Sequence, residues 1–443
     1  MFKRFTRSMF SPVARALQLA MLIALLTACA PAPAPQAPFP DYGYAPPADQ
    51  YSGPLFKLSQ DYPTLRPEQS ELPLFLSVDE SNDFTKDWRG YLMQARDYCF
   101  EGNIEADWRV ENNKVRNWYH APWQHYGPLG REGIRGLTKE ASLAVGQLAA
   151  TQTYPSAVAY ALGIYNEFGG YMIGRVWQDH NDPEPTYVAT EGFPVGTVVC
   201  KLLFVSMPPA EIQAQVPWLV NPITWDAYAY SYGSKTERSI QPVALIQLDI
   251  MVRDSRARFG WVFGTFQYNG ALNKPNPWDN LVPVGLQWGN DPDVVGDIPV
   301  PDANGKFPPN PIFDKTPINT QLVQTYINPD PELPPTHLGW GGRLAGPADN
   351  QASSCFSCHM TASYPAQPIS GLFAPASTRP STSNRQIWDT WWMQWFQNVP
   401  WPEQFYTYPP QPEQAINSLD FSLQLSDGIK NFHASKATPT PAP

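Results

Sequence analysis

Cys355, Phe356, Ser357, Cys358 and His359 read C-x-x-C-H. Two thiols at that spacing can form thioether bonds to the two vinyl groups of one haem, and the adjoining imidazole can bind its iron from one face. A redox dithiol or half of a zinc site would use the same spacing. A zinc site of the usual kind needs a second Cys/Cys or His/His pair at short spacing, and no such pair lies near this motif along the chain. A thioredoxin-like dithiol belongs where a strand enters a helix. Here the motif follows a stretch rich in Gly, Pro, Asp and Asn, Gly339 to Asn350. The residues therefore predict one covalent haem c held by Cys355, Cys358 and His359, with His359 as the proximal ligand.

Haem attached in this way implies export, and the N-terminus is built for it. Lys3, Arg4, Arg7 and Arg15 make a basic start, no acid precedes Cys29, and Ala16 to Leu26 is an apolar run of signal-peptide length. Leu26-Thr27-Ala28-Cys29 resembles a bacterial lipobox, in which the Cys sulfur is lipidated. The Ala/Pro-rich stretch that follows favours extended polyproline II and reads as a tether. Ala30 rather than Asp after the cysteine points to the outer membrane. The expected location is the bacterial cell envelope, lipid-anchored and facing the periplasm, with a lipid bilayer and a periplasmic redox partner as the things it meets.

The chain has 443 residues and a net charge of −10, which deepens once the four leader cations leave. An acidic surface argues against nucleic acid. Fifty Pro among 443 residues require loops and short strands, and 16 Trp with 22 Phe allow a large aromatic core. Cys99 and Cys200 remain after the lipid and haem sites are assigned. They could pair in an oxidising compartment or stay as buried thiols.

The positioning elements follow from periodicity. Lys86 to Phe100 and Thr138 to Ala149 read as helices, the second from its Thr cap, and Arg385 to Asn398 as a Trp-rich helix. Gly170 to Trp177, Gly196 to Phe204, Val243 to Arg253 and Phe259 to Tyr268 read as strands. Asn117 to Gly130 is an aromatic loop, and Leu272 to Asn350 is loop-rich. The fold class expected is α+β: a mostly antiparallel sheet with peripheral helices, long loops and one covalent c-type haem. Alternation puts Gln247, Asp249, Met251 and Arg253 on one strand face and Ile246, Leu248, Ile250 and Val252 on the other. Lys201 opposes Cys200 in the same way. Solvent exposure is the ordinary reading of both charges.

Gly192 to Lys201 (GFPVGTVVCK), Gln247 to Asp254 (QLDIMVRD) and Phe259 to Phe266 (FGWVFGTF), followed by C-x-x-C-H, resemble in order the strands of the cytochrome P-460 and beta-type cytochrome c-prime family. The resemblance covers residues 155–365 and implies a large lipoprotein branch of that family, with an antiparallel sheet over one haem. It makes Lys201 the candidate for a Lys–porphyrin cross-link and Asp249 the candidate distal acid, where the family has a longer Glu. Together these imply a membrane-anchored periplasmic mono-haem c-type cytochrome with an open distal site. Its role would be redox chemistry, as a haem-dependent oxidoreductase, or binding of a small nitrogenous or gaseous ligand. The alternative is a six-coordinate electron-transfer cytochrome c lipoprotein with His337 or Met393 as distal ligand; His120, His125, His180 and His433 are further candidates. The organisation expected is signal peptide 1–28, tether 29–50, N-terminal extension 51–154, haem-binding sheet domain 155–365, C-terminal Trp-rich helical segment 366–433 and tail 434–443.

Overall fold

β-Branched and aromatic residues dominate the chain from residue 158 to 287, and they build a sheet buried on both faces. The computed structural model describes residues 37–76, 82–124, 130–289, 324–334, 344–350, 353–365 and 417–437. The chain divides into Met1–Pro38 and Phe39–Pro443, and the architecture below is that of the second unit. Its strands are β1 (Thr138–Ser142), β2 (Val158–Tyr165), β3 (Val198–Ser206), β4 (Thr224–Tyr230), β5 (Arg238–Arg253), β6 (Trp261–Tyr268), β7 (Leu281–Gln287) and β8 (Thr325–Ile327). They form one sheet in the order β1-β2-β3-β5-β6-β7-β8, with β4 also pairing β5. The pairings are all antiparallel. The α+β class with an antiparallel sheet and peripheral helices is what the structure has.

Helix α1 (Trp88–Phe100) starts where the Asp87 side chain accepts from the Gly90 amide, supplying an orphan N–H with a partner. Tyr91, Leu92, Ala95 and Cys99 recur at helical spacing and are fully buried. They join Ile246, Leu248, Ile250 and Val252 of β5 in the larger core cluster. A disulfide from Cys99 to Cys200 fixes α1 to β3 on this face, which settles the alternative that the sequence left open. The opposite face carries a second cluster, with Tyr165, Val199, Met251, Trp261 and Phe263 from the strands.

Two elements differ from expectation. Residues 170–177 are not a strand: they lie in and just beyond helix α2 (Glu167–Val176). The Asn166 side chain accepts from the Gly169 amide, and Phe168, Met172, Ile173 and Val176 bury one helical face, a 3.6-residue pattern hidden in an apolar run. Residues 138–142 are strand β1 rather than the start of a helix, because the edge of β2 takes them as a partner, Thr138 opposite Ala161. The Trp-rich segment 385–398 lies outside the described residues.

Helix α3 (Cys355–His359) and helix α4 (Leu423–Ala437) pack on the second face; α4 carries on past residue 433. The two-stranded pair β9 (Ser363–Tyr364) and β10 (Asn417–Ser418) precedes α4 and holds the two segments together. Among the described residues no helix is long and apolar enough to cross a membrane.

Candidate functional site

Strand alternation delivers the site. Lys201 of β3 stands directly opposite Asp249 of β5, and Asp249 stands opposite Thr265 of β6. All three therefore project from the same face, away from the Cys200 disulfide. Above them lies α3. Its start is held by a reciprocal cap: the Ser354 hydroxyl accepts from the Ser357 amide, and the Ser357 hydroxyl accepts from the Ser354 amide. The Phe356 amide donates to Gln287 Oε1 of β7 (3.2 Å), and the Phe356 ring packs on Phe259, Phe263 and Phe421. That anchor places Cys355, Cys358 and His359 with Lys201 and Asp249 around one cavity lobe of about 130 Å³. A second lobe of about 60 Å³ shares Glu140, Lys201, Asp249 and His359, and adds Gln124, Gln424 and Asp427.

The polar groups form a network. Gln247 Nε2 donates to both oxygens of Asp249 (2.8 and 2.9 Å) and to Asp349 Oδ2 (2.9 Å). Gln247 is oriented by accepting from the Ala348 amide at Oε1 (2.8 Å). Asp349 also accepts from the Gly346 amide (2.7 Å), and the Thr265 hydroxyl donates to Asp249. Lys201 Nζ pairs with Glu140 Oε1 at 3.4 Å.

Burial, then the charge of Asp349, pushes the Asp249 carboxyl up to about 7; burial raises Asp349 as well. Burial works against the Lys201 ammonium, but Glu140, Asp249 and Asp349 more than offset it and hold it at about 12. The site thus keeps a fixed cation beside a carboxyl able to take or give a proton near neutrality. Thr265→Val should remove a bond that favours the charged form of Asp249 and move its titration above 7. Carbon-detected NMR of the Asp249 carboxyl checks this; an unchanged midpoint would show that the Thr265 bond carries no weight.

Burial, then Asp349, pushes the Cys358 thiol up to about 12. Such a group is a poor thiolate donor for disulfide exchange. The His359 imidazole is held neutral: burial brings it down to about 4. Its Nδ1 lies 2.8 Å from the Phe421 carbonyl oxygen. A carbonyl can only accept, so Nδ1 carries the proton and Nε2 keeps the lone pair.

The sequence marked five residues that the fold brings together: Lys201, Asp249, Cys355, Cys358 and His359. The ordinary expectation of solvent exposure for Lys201 and Asp249 is replaced by a place on the cavity wall. Gln247 shares the Asp249 face and was signalled by alternation; Thr265, brought alongside by the register of β6, was missed. Asp349 and Glu140 were missed, since loop approach and edge pairing leave no periodic trace. The other candidates lie elsewhere. His120 Nδ1 accepts from the Ser59 amide (2.9 Å), His180 stacks on Phe39, and His433 bonds the Tyr364 hydroxyl (2.9 Å). Cys29, His125, His337 and Met393 lie outside the described residues.

No family model, no curated protein and no solved structure matches the chain. The assignment to the cytochrome P-460 and beta-type cytochrome c-prime family is therefore withdrawn: short strand motifs in the right order occur here without any detectable relative. The covalent haem c had two supports, the pentapeptide and that family, and the second does not stand. Among the described residues no group of three or more His, Cys, Asp or Glu could hold a metal ion. The cysteines that the structure joins are Cys99 and Cys200; Cys355 and Cys358 are thiols, and Cys355 Sγ donates to the Leu344 carbonyl oxygen (3.6 Å). The mono-haem cytochrome reading, with its iron and electron-transfer chemistry and its six-coordinate alternative, is corrected accordingly: residues 355–359 are a helical turn bearing two thiols and a neutral imidazole on the wall of a polar cavity.

Proposed function

We propose that this cavity is a binding site for a small polar ligand, in which Asp249, beside Lys201, exchanges protons with the ligand and the neutral His359 imidazole accepts a hydrogen bond from it. The observation that carries the reading is the convergence of an imidazole lone pair, a carboxyl near neutrality and a fixed ammonium on one cavity. A concave site with a few convergent polar groups suits a small molecule. Thiol exchange is the weaker use of the turn, given the high Cys358 thiol. The lipobox-like Cys29 supports tethering of the protein to a bilayer on the periplasmic side of a bacterial envelope, within reach of a redox partner.

The test is an NMR screen of small polar molecules, read at the His359 ring and at the Lys201 and Asp249 side chains and repeated in Asp249→Ala. A ligand that shifts these groups and takes up or releases a proton is expected, with both effects lost in the variant; a panel that shifts none of them would overturn the binding reading. Mass spectrometry of protein purified from the envelope with its own leader should show lipid on Cys29, and an unlipidated N-terminus would overturn the tether.

A further inference from the structure

The reading of His359 as an electron-pair donor depends on one carbonyl, and that carbonyl sits in an unusual turn. Asp420 (φ 46°) and Phe421 (φ 68°) are consecutive non-glycine residues in the left-handed region, which L-residues leave unless something holds them. What holds this pair is visible. The Asp420 side chain is fully buried. Its Oδ2 accepts from the Phe193 amide (2.7 Å) and its Oδ1 from Trp261 Nε1 (2.8 Å), and Arg253 Nε lies 3.5 Å from Oδ2. Those three partners sit just before β3, at the start of β6 and at the end of β5. A single carboxylate thus pins the loop ahead of α4 to three strand ends, and the next residue presents its carbonyl to His359 Nδ1.

We propose that Asp420 is a positioning residue for His359: by holding the left-handed turn at 420–421 it aims the Phe421 carbonyl at Nδ1, and so fixes which imidazole nitrogen faces the cavity with a lone pair. This rests on the role given to His359 above. No chemistry is asked of Asp420 itself. Arg253 also donates to the Phe193 and Phe259 carbonyls and the Trp261 ring packs on Phe421, while the two acceptor oxygens of Asp420 suit the two N–H groups that reach them. An Asn there would keep one acceptor but set its NH₂ against the Phe193 N–H, donor against donor. The general case is familiar in physical terms: the hydrogen bond at one ring nitrogen sets the tautomer and aims the other.

The experiment is hydrogen exchange of the His359 ring N–H in uniformly ¹⁵N-labelled protein, read against the Leu248 amide at the centre of the sheet. Wild-type protein should show a protected Nδ1–H. In Asp420→Asn its exchange should rise at least tenfold while the Leu248 amide keeps its protection. Trp261→Phe keeps the ring packing and removes one donor, and should raise exchange in the same direction. It also keeps the proposal testable if Asp420→Asn does not fold. Unchanged Nδ1–H protection in the variants, or a rise matched at Leu248, would overturn the proposal, the second outcome meaning general loosening. The ring N–H is read without any ligand. A screen that left Asp249 and His359 unmoved would therefore sink the binding reading and leave this one standing.

Discussion

Replacing Cys99 and Cys200 together by Ala should lower the unfolding free energy by about 3–5 kcal/mol, the range for losing a native cross-link that closes a loop of this size. The two residues are 101 apart in sequence, so the bond removes much freedom from the unfolded chain. Both ends are fully buried between α1 and β3, which adds a packing loss of the kind met when buried atoms are deleted. Denaturant unfolding, with and without reductant, measures the effect: the wild type should weaken on reduction and the double variant should not respond. A loss under about 1 kcal/mol would show that the covalent constraint contributes little here. The cavity should survive in the folded variant, because Cys200 and Lys201 point to opposite faces of β3. Stability and site chemistry are separable at this strand by a single step along the chain.

That alternation explains what the sequence could and could not reveal. Asp249 and Gln247 were legible as one strand face because a strand's side chains alternate; that Lys201 lies beside them follows only from the register of β3 on β5. The Cys355–His359 turn was legible as a spacing. What it holds was not, because a pentapeptide specifies a geometry of donors and not the group they meet. The family resemblance overreached for a related reason: F-P-x-G-T and G-W-x-F are also what a buried antiparallel strand with glycine turns looks like. Asp349, Gln247's second partner, arrives from a loop with no period. Asp420 lies in a two-residue turn whose positive φ values no propensity of Asp or Phe announces. The two misassigned elements fail in the same physical way: α2 is apolar on more than one side, so its helical period is masked, and β1 takes its conformation from the edge of β2 rather than from its own residues.

Asp249→Asn should stabilise the protein at pH 8 by about 2 kcal/mol or more and have little effect at pH 4, where the native carboxyl is already neutral. The sign follows from the direction of the shift. Burial and then Asp349 push the folded carboxyl up to about 7 from an ordinary 3.8, so the folded state binds this proton more tightly than the unfolded chain does. The stabilisation is fully present below the unfolded value, declines as pH rises between the two, and is gone above about 7. Over that interval the linkage amounts to about 4 kcal/mol at most, at about 1.4 kcal/mol for each pH unit. That interval is already net of Gln247, Thr265 and Lys201, which all favour the charged carboxylate. An amide at this position keeps an acceptor for Thr265 and removes the charge that Asp349 opposes, so the Asp349 carboxyl should also ionise more easily. Unfolding by urea at pH 4 and pH 8 checks the expectation. Wild-type and variant curves that stay parallel across the range would mean that Asp249 is solvated and ionised like an ordinary surface carboxylate. A variant that gains stability only at the higher pH would mean that the fold sacrifices stability to keep a proton-exchanging carboxyl beside Lys201. Such a cost makes sense for a site that handles protons and not for one that merely packs.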